Sequence, residues 1–166
     1  MRHTVAMRDW LVAGGLLRGA DGVLLVQNER RNGSLDWSTP GGVIDEGETL
    51  LQGLTREVHE ETGLTVAAWD HRAYEIEVDF VEREMFLRVE AHVAVSWAGE
   101  LVVDDPDGIV VDAGFVDDQQ AHERMVHAPR WVSEPFTTWL ADGVCAEPFK
   151  YVVRGDLAGG FTVDRV

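Results

Sequence analysis

Cysteine is almost missing from this chain: Cys145 stands alone among 166 residues, so no internal disulfide can form. The fold must therefore rest on an apolar core. A chain of this length buries roughly two-thirds of the surface that it exposes when unfolded, which is enough for one. Long apolar runs are missing too. No stretch approaches the roughly 20 apolar residues of a membrane helix, and no secretory signal is expected from Met1 to Thr4, which lacks a long apolar run and a cleavage site. A reduced, cytoplasmic setting with no membrane partner is the expectation. Basic residues are scarce, with 14 Lys and Arg against 30 Asp and Glu and a formal net charge of −16. Binding to a nucleic-acid polymer draws on a basic face that neutralises phosphates, so such a polymer is not an expected partner. Repeats, low-complexity segments and Pro/Gly/Ser linkers are lacking as well. One domain over residues 1–166 is expected, with 149–166 as a C-terminal extension or hairpin.

What the chain does have is a series of short apolar stretches cut by turn residues. Trp10 to Leu17 and Gly22 to Gln27 flank an Asp-Gly turn and read as a hairpin. Asn28 to Asp36 is polar, contains Asn32-Gly33, and reads as an exposed loop. Thr65 to Val81 and Arg83 to Trp97 are rich in β-branched and aromatic residues and read as two strands joined by a charged turn. Ala98 to Gly108 reads as an acidic loop and Ile109 to Val116 as a strand. Asp117 to Met125 and Val132 to Leu140 read as helices on either side of Pro129, and the tail from Phe149 as a hairpin turning at Gly159-Gly160. The sum is an α+β chain, a mixed sheet flanked by helices.

The chemistry concentrates between Gly42 and Leu64. Thr49 and Gln52 fit a capping box, and Leu51, Leu54 and Val58 recur at helical spacing. Gly63 stands where a left-handed C-cap is wanted, with Leu64 as the apolar contact beyond it. This predicts a helix from near Thr49 to near Thr62. On it Glu57, Glu60 and Glu61 fall at i, i+3 and i+4, within an arc of roughly 100° beside the apolar stripe. Three like charges so close repel one another and call for a counter-ion. The segment has no Lys, and Arg56 is its only Arg. A hard divalent cation such as Mg²⁺ is the natural partner, because it prefers carboxylate oxygens and keeps other positions for water and phosphates. Gly41-Gly42 permits backbone placements that a side chain would block, and Arg56 and Glu48 are placed to pair and brace the patch.

The order Gly42, five residues, Glu48, seven residues, then Arg56-Glu57-Val58-His59-Glu60-Glu61-Thr62-Gly63-Leu64 resembles the signature box of the Nudix hydrolases at every specified position. The resemblance implies a Nudix-type α/β/α sandwich and an enzyme that cleaves a diphosphate bond. Its substrate would be a nucleoside triphosphate, or a nucleoside diphosphate linked to another moiety. It implies Glu57, Glu60 and Glu61 as ligands of Mg²⁺, or of Mn²⁺ in its place, joined by the Gly41 carbonyl, with Arg56 and Glu48 orienting them. The metals would bridge the diphosphate and activate a water. The general base stays open between Glu57 and the acidic loop of Asp104, Asp105 and Asp107, with Asp107 the choice within that loop. Relatives also suggest a homodimer, in which 149–166 would serve as an exchanged or interface arm. A non-catalytic nucleotide sensor on the same fold is the alternative, and no degenerate box position favours it.

Other residues carry weaker signals. Arg18, Arg30, Arg31 and Arg83 are candidate phosphate contacts, and Trp37, Phe80 and Trp97 candidate stacking platforms. His59 is expected on the surface, and the histidines show no zinc-like spacing. Beyond the box, Asp79-Phe80-Val81-Glu82 lacks the Pro or Tyr that marks the ADP-ribose and dinucleoside-polyphosphate groups of the family, which leaves the substrate open.

Overall fold

The computed structural model describes residues 7–166. In chain order the elements are β1 (Arg8–Leu16), β2 (Arg18–Gly19), β3 (Gly22–Glu29), β4 (Leu35–Ser38), β5 (Gly41–Val43), α1 (Leu50–Thr62), β6 (Thr65–Phe80), β7 (Met85–Ala98), β8 (Val110–Val116), α2 (Asp118–Met125), α3 (Arg130–Asp142), β9 (Phe149–Asp156) and β10 (Gly160–Arg165), with a 3₁₀ turn at Val81–Arg83. No helix among these residues is long and apolar enough to cross a membrane.

Two sheets carry the fold. The larger has six strands in the order β10-β9-β6-β7-β1-β5. Its β1·β7 and β6·β9 pairs are parallel and the others antiparallel, so the sheet is mixed as the sequence predicts. The smaller sheet centres on β3, with β8 along one edge and β2 and β4 along the other. Alternation along β1 sends side chains to both faces of the larger sheet. Leu16 joins a core with Tyr74, Ile76, Val78, Phe136 and Tyr151, while Ala13 and Leu17 join Leu54, Val58, Leu64 and Val66. The first core packs against α3 and the second against α1, which is the expected layering of helices on both sides of a sheet.

Several local readings need correction. Trp10 to Leu17 is extended but is not the hairpin partner of Gly22 to Gln27. Beyond a bond from Leu24 N to the Leu17 carbonyl at 2.9 Å, β1 pairs with β5 and β7 in the larger sheet, and only the two residues of β2 return on β3. The chain changes sheets between Leu16 and Arg18, where burying both faces outweighs a local ribbon. The segment from Asn28 to Asp36 is not wholly a loop. Asn28 is buried in β3, and β4 begins at Leu35. Leu51 lies outside the buried stripe of α1 and is 39% exposed, since the face toward the sheet runs through Gly53, Leu54, Val58 and Thr62. The tail from Phe149 does form the hairpin that the sequence predicts, with β10 returning on β9, and β9 lies parallel to β6.

Both caps of α1 form as the sequence predicts. Gln52 N donates to Thr49 Oγ1 at 3.2 Å, and Thr49 N donates to Gln52 Oε1 at 3.0 Å. Gly63 takes φ +78° and donates to the His59 carbonyl at 2.9 Å. A Cβ on Gly63 would meet the Glu100 carbonyl at 2.7 Å. Gly63→Ala is therefore expected to destabilise the protein by more than about 1 kcal/mol through both strain and contact, measured by urea denaturation.

Candidate active site

The loop from Gly41 to Thr49 and the helix α1 bring the acidic residues together at one end of a cavity of about 720 Å³. Arg56 organises this end. Its Nε donates to Glu48 Oε2 and its Nη2 to Glu48 Oε1, both at 2.9 Å, a bidentate pair. Nη1 donates to Glu57 Oε1 at 2.8 Å and to Glu60 Oε2 at 3.3 Å. Nη2 also lies 3.3 Å from Asp45 Oδ2. The Arg56 hydrogen bonds hold the Glu48 carboxyl below its usual range, and the same pairing raises Arg56.

Glu57 and Glu61 respond in the opposite direction. Burial is the largest cause of the rise in Glu57, which Arg56 opposes and the charges of Glu60 and Asp107 reinforce. Glu61 is pushed up to about 8, chiefly by burial and further by the nearby charges of Glu57, Asp105 and Glu60. The Gly41 N–H, donating to Glu61 Oε2 at 3.0 Å, offsets only part of that.

The two glycines before the helix have separate reasons. A Cβ on Gly41 would lie 2.0 Å from the Ala13 carbonyl, so the close approach of β5 to β1 excludes a side chain. On Gly42 a Cβ would meet the Glu57 carboxylate at 2.7 Å. The carboxylate packs over the bare Gly42 backbone.

The donor set suits a hard divalent cation. Glu57, Glu60, Glu61 and Gly41 all line the same cavity, and oxygen donors in excess of positive charge are what Mg²⁺ or Mn²⁺ requires. Among the described residues, no three acidic, His or Cys side chains close on one point as they stand. Arg56 draws Glu57 and Glu60 to itself while Glu61 turns to Gly41.

Asp105 and Asp107 both line the cavity. Asp105 ties its own loop, accepting from the N–H groups of Asp107, Ile109 and Val110 at 3.2, 3.0 and 3.0 Å. Asp104 is not part of the wall. His59 is exposed, as expected.

The remaining candidates fare differently. Arg30 reaches the cavity wall, bound to Asp36. Arg18 pairs with Asp118 and lies over Trp139, and Arg83 lies over Phe80 and Phe161. Neither these two nor Arg31 lines the cavity. Trp37 is covered by the Arg124 guanidinium at 4.1 Å, and Trp97 stacks on Phe115. Phe80 stands edge-on behind Trp131, with centroids 6.0 Å apart. Trp131 is an aromatic residue of the cavity wall, as is Tyr74, and Ile76, Leu87 and Val89 line the same cavity. Sequence reasoning missed Trp131. It is the second residue of α3, after Pro129 and Arg130, where spacing says nothing about a wall built by distant strands.

The NUDIX domain model matches residues 9–139. The chain belongs to the Nudix family. Among curated relatives it is 35% identical over 78 residues to the oxidized purine nucleoside triphosphate hydrolase of Danio rerio, covering 47% of this chain and 49% of that protein. The first curated relatives are matched over only 17 to 49% of their own length. The solved Nudix-type structures agree in fold. The MutT protein of Methanosarcina mazei has a TM-score of 0.67 at 19% identity, over 84% of this chain and 98% of that one. The ORF135 protein of E. coli has a TM-score of 0.66 at 18% identity, over 81% and 93%. The mixed sheet flanked by helices is thus the Nudix sandwich, and β9 and β10 lie beyond the matched residues.

Two outcomes follow from the site. A carboxyl whose folded pKa stands above its usual 4.5 holds its proton more tightly in the native state. The native protein then binds more protons than the unfolded chain, and stability falls as pH rises. For Glu61 the interval runs from about 4.5 to about 8. Thermal denaturation in a chelator is expected to show a falling Tm across it, with a shallower slope in Glu61→Gln. Gly42→Ala is expected to push the Glu57 carboxylate aside and weaken Mg²⁺ binding by about tenfold or more, measured by calorimetry, with the fold retained.

Proposed function

We propose that the protein is a metal-dependent Nudix hydrolase that cleaves a diphosphate bond in a nucleoside triphosphate or in a nucleoside diphosphate linked to another group. The observation that carries this reading is one cavity with two unlike ends. Glu57, Glu60, Glu61 and Gly41 stand at one end, and Trp131 with Tyr74, Ile76 and Leu87 at the other. The polar end suits phosphates with a cation, and the apolar end suits a base.

Glu57, Glu60, Glu61 and the Gly41 carbonyl would hold Mg²⁺ or Mn²⁺. When bound, the metal supplies Lewis-acid stabilisation of the diphosphate oxygens and makes a water acidic enough to attack. Arg56, paired with Glu48, holds Glu57 and Glu60 at the cavity by hydrogen bonds. Asp107, in the same lining and near enough for its charge to act on Glu57, would accept a proton from the attacking water, and Glu57 is the rival for that task. The apolar end excludes water and orients the substrate. Phosphoryl transfer depends on such positioning and electrostatics more than on covalent chemistry.

Names among the relatives guide the choice of substrates. They include an oxidized purine nucleoside triphosphate hydrolase, an 8-oxo-dGDP phosphatase and an RNA pyrophosphohydrolase. Oxidised and unmodified nucleoside di- and triphosphates therefore head the panel, followed by nucleotide sugars and dinucleoside polyphosphates. The unpaired Cys145 suits a reduced, cytoplasmic setting.

Phosphate release from one member is expected with Mg²⁺, to vanish in a chelator and to return when the metal is restored. Glu60→Gln and Glu61→Gln are each expected to lower kcat by about a hundredfold or more. Unchanged turnover in both variants would overturn the assignment. Tight binding of an uncleaved nucleotide would point instead to a sensor.

A further inference from the structure

Asn28, at the cavity end of β3, is 5% exposed. It is one of two buried polar side chains among the described residues, the other being Thr62, whose hydroxyl donates to the Val58 carbonyl. A primary amide offers two donor hydrogens and an acceptor oxygen, and when buried each seeks a partner. The donor side of Asn28 is committed to the protein, with Nδ2 donating to Asp36 Oδ1 at 3.1 Å and to Ser38 Oγ at 2.9 Å.

This orientation is imposed by charge. A carboxylate accepts and does not donate, so the edge of Asn28 that faces Asp36 must be its NH₂. Asp36 is itself fixed by Arg30, whose Nε donates to Oδ2 and Nη2 to Oδ1, both at 2.7 Å. Arg30, Asp36 and Asn28 therefore form a relay of one polarity, and it ends on Asn28 Oδ1. That oxygen has no hydrogen-bond partner among the described residues. It is not sealed off either, since no side-chain N or O atom there is both inaccessible and unpaired. Its open side is the cavity, whose wall Asn28 and Ser38 help to form.

The placement suits a base. Ser38 lies three residues before Gly41, which limits their Cα separation to about 10 Å at full extension. Asn28 and the carboxylates line the same cavity. Ile76, Leu87 and Trp131 supply apolar surface in the same cavity.

We propose that Asn28 is a specificity-determining residue of this site, and that its Oδ1 selects nucleotides whose base presents an N–H donor, amino or imino. The proposal rests on the nucleotide-hydrolase reading above. A base with no such donor would cover Oδ1 without pairing it, and an unpaired buried acceptor is penalised more heavily than a made bond is rewarded. A site built around a hydrogen bond rejects the analogue that lacks it. Asp36 acts through Asn28 as a positioning residue.

The test compares ATP, GTP and CTP with purine riboside triphosphate, which carries hydrogen where adenosine carries its amino group and has no N–H on the base. Kinetics with Mg²⁺ would be measured for the native protein, Asn28→Ala and Asp36→Asn, with folding checked by thermal denaturation. In the native protein the best donor-bearing nucleotide is expected to exceed the donor-free one by about ten- to a hundredfold in kcat/KM, mainly through KM. The ratio is expected to fall to within about threefold in Asn28→Ala. It is also expected to fall in Asp36→Asn, where the amide is free to turn over. A purely structural role would lower stability and leave the ratio intact. A native ratio near one, or an undiminished ratio in Asn28→Ala, would overturn the proposal. If none of these four is cleaved, thermal shift with the same nucleotides decides, while the hydrolase reading is judged on the wider panel. Donor-dependent binding lost in Asn28→Ala sustains the role of Asn28, and equal or absent binding ends it.

Discussion

Four carboxylates crowd around one guanidinium at the acidic end of this protein, and that imbalance governs the site. Arg56 contacts Glu48, Glu57, Glu60 and Asp45, and Glu61 stands beyond its reach against the Gly41 N–H. Arg56 anchors the loop before α1 to the helix and keeps like charges from driving the patch apart. It does not neutralise the patch. The surplus raises Glu61, mainly because that carboxyl is also buried, and leaves a cluster whose charge is best met by a cation.

Rigidity comes from neighbouring contacts. Both ends of α1 are capped, and Trp69 Nε1 donates to Thr55 Oγ1 at 2.9 Å, which pins the helix to β6. Gly41 lets β5 close on β1, and Gly42 makes room for the Glu57 carboxylate. Each contact removes a freedom that a multivalent oxygen site would otherwise lose on binding. The same economy marks other parts of the site. Asp105 binds three N–H groups of its own loop, and Arg30 and Asp36 set the direction of Asn28.

The acidic patch is legible in the sequence because its determinants are local. Helical spacing, a threonine cap and a glycine stop act over a few residues, and they place Glu57, Glu60 and Glu61 on one arc. The pairing of Arg56 with Glu48 is legible for the same reason. Leu51 misleads because neighbouring leucines are equally apolar in sequence, and only the position of the sheet decides which is covered. The hairpin reading of β1 fails similarly, since an Asp-Gly turn reports how the chain reverses and not which sheet a strand then joins. Trp37, Phe80 and Trp97 are aromatic residues in strands, and strand alternation says that faces differ without saying which face opens on a cavity.

The sequence alone determined the box, its helix, the mixed α+β layering and the negative charge at one place, all of which follow from spacing and composition over short distances. Tertiary structure decided what that charge confronts. It brought Asp107 from a loop some fifty residues away, set Trp131 in front of Phe80, and turned Asn28 from an apparent loop residue into a buried, oriented acceptor. Those placements depend on how strands from two sheets stack. The free energy of stacking is shared among many distant apolar contacts and leaves no local mark on any one of them.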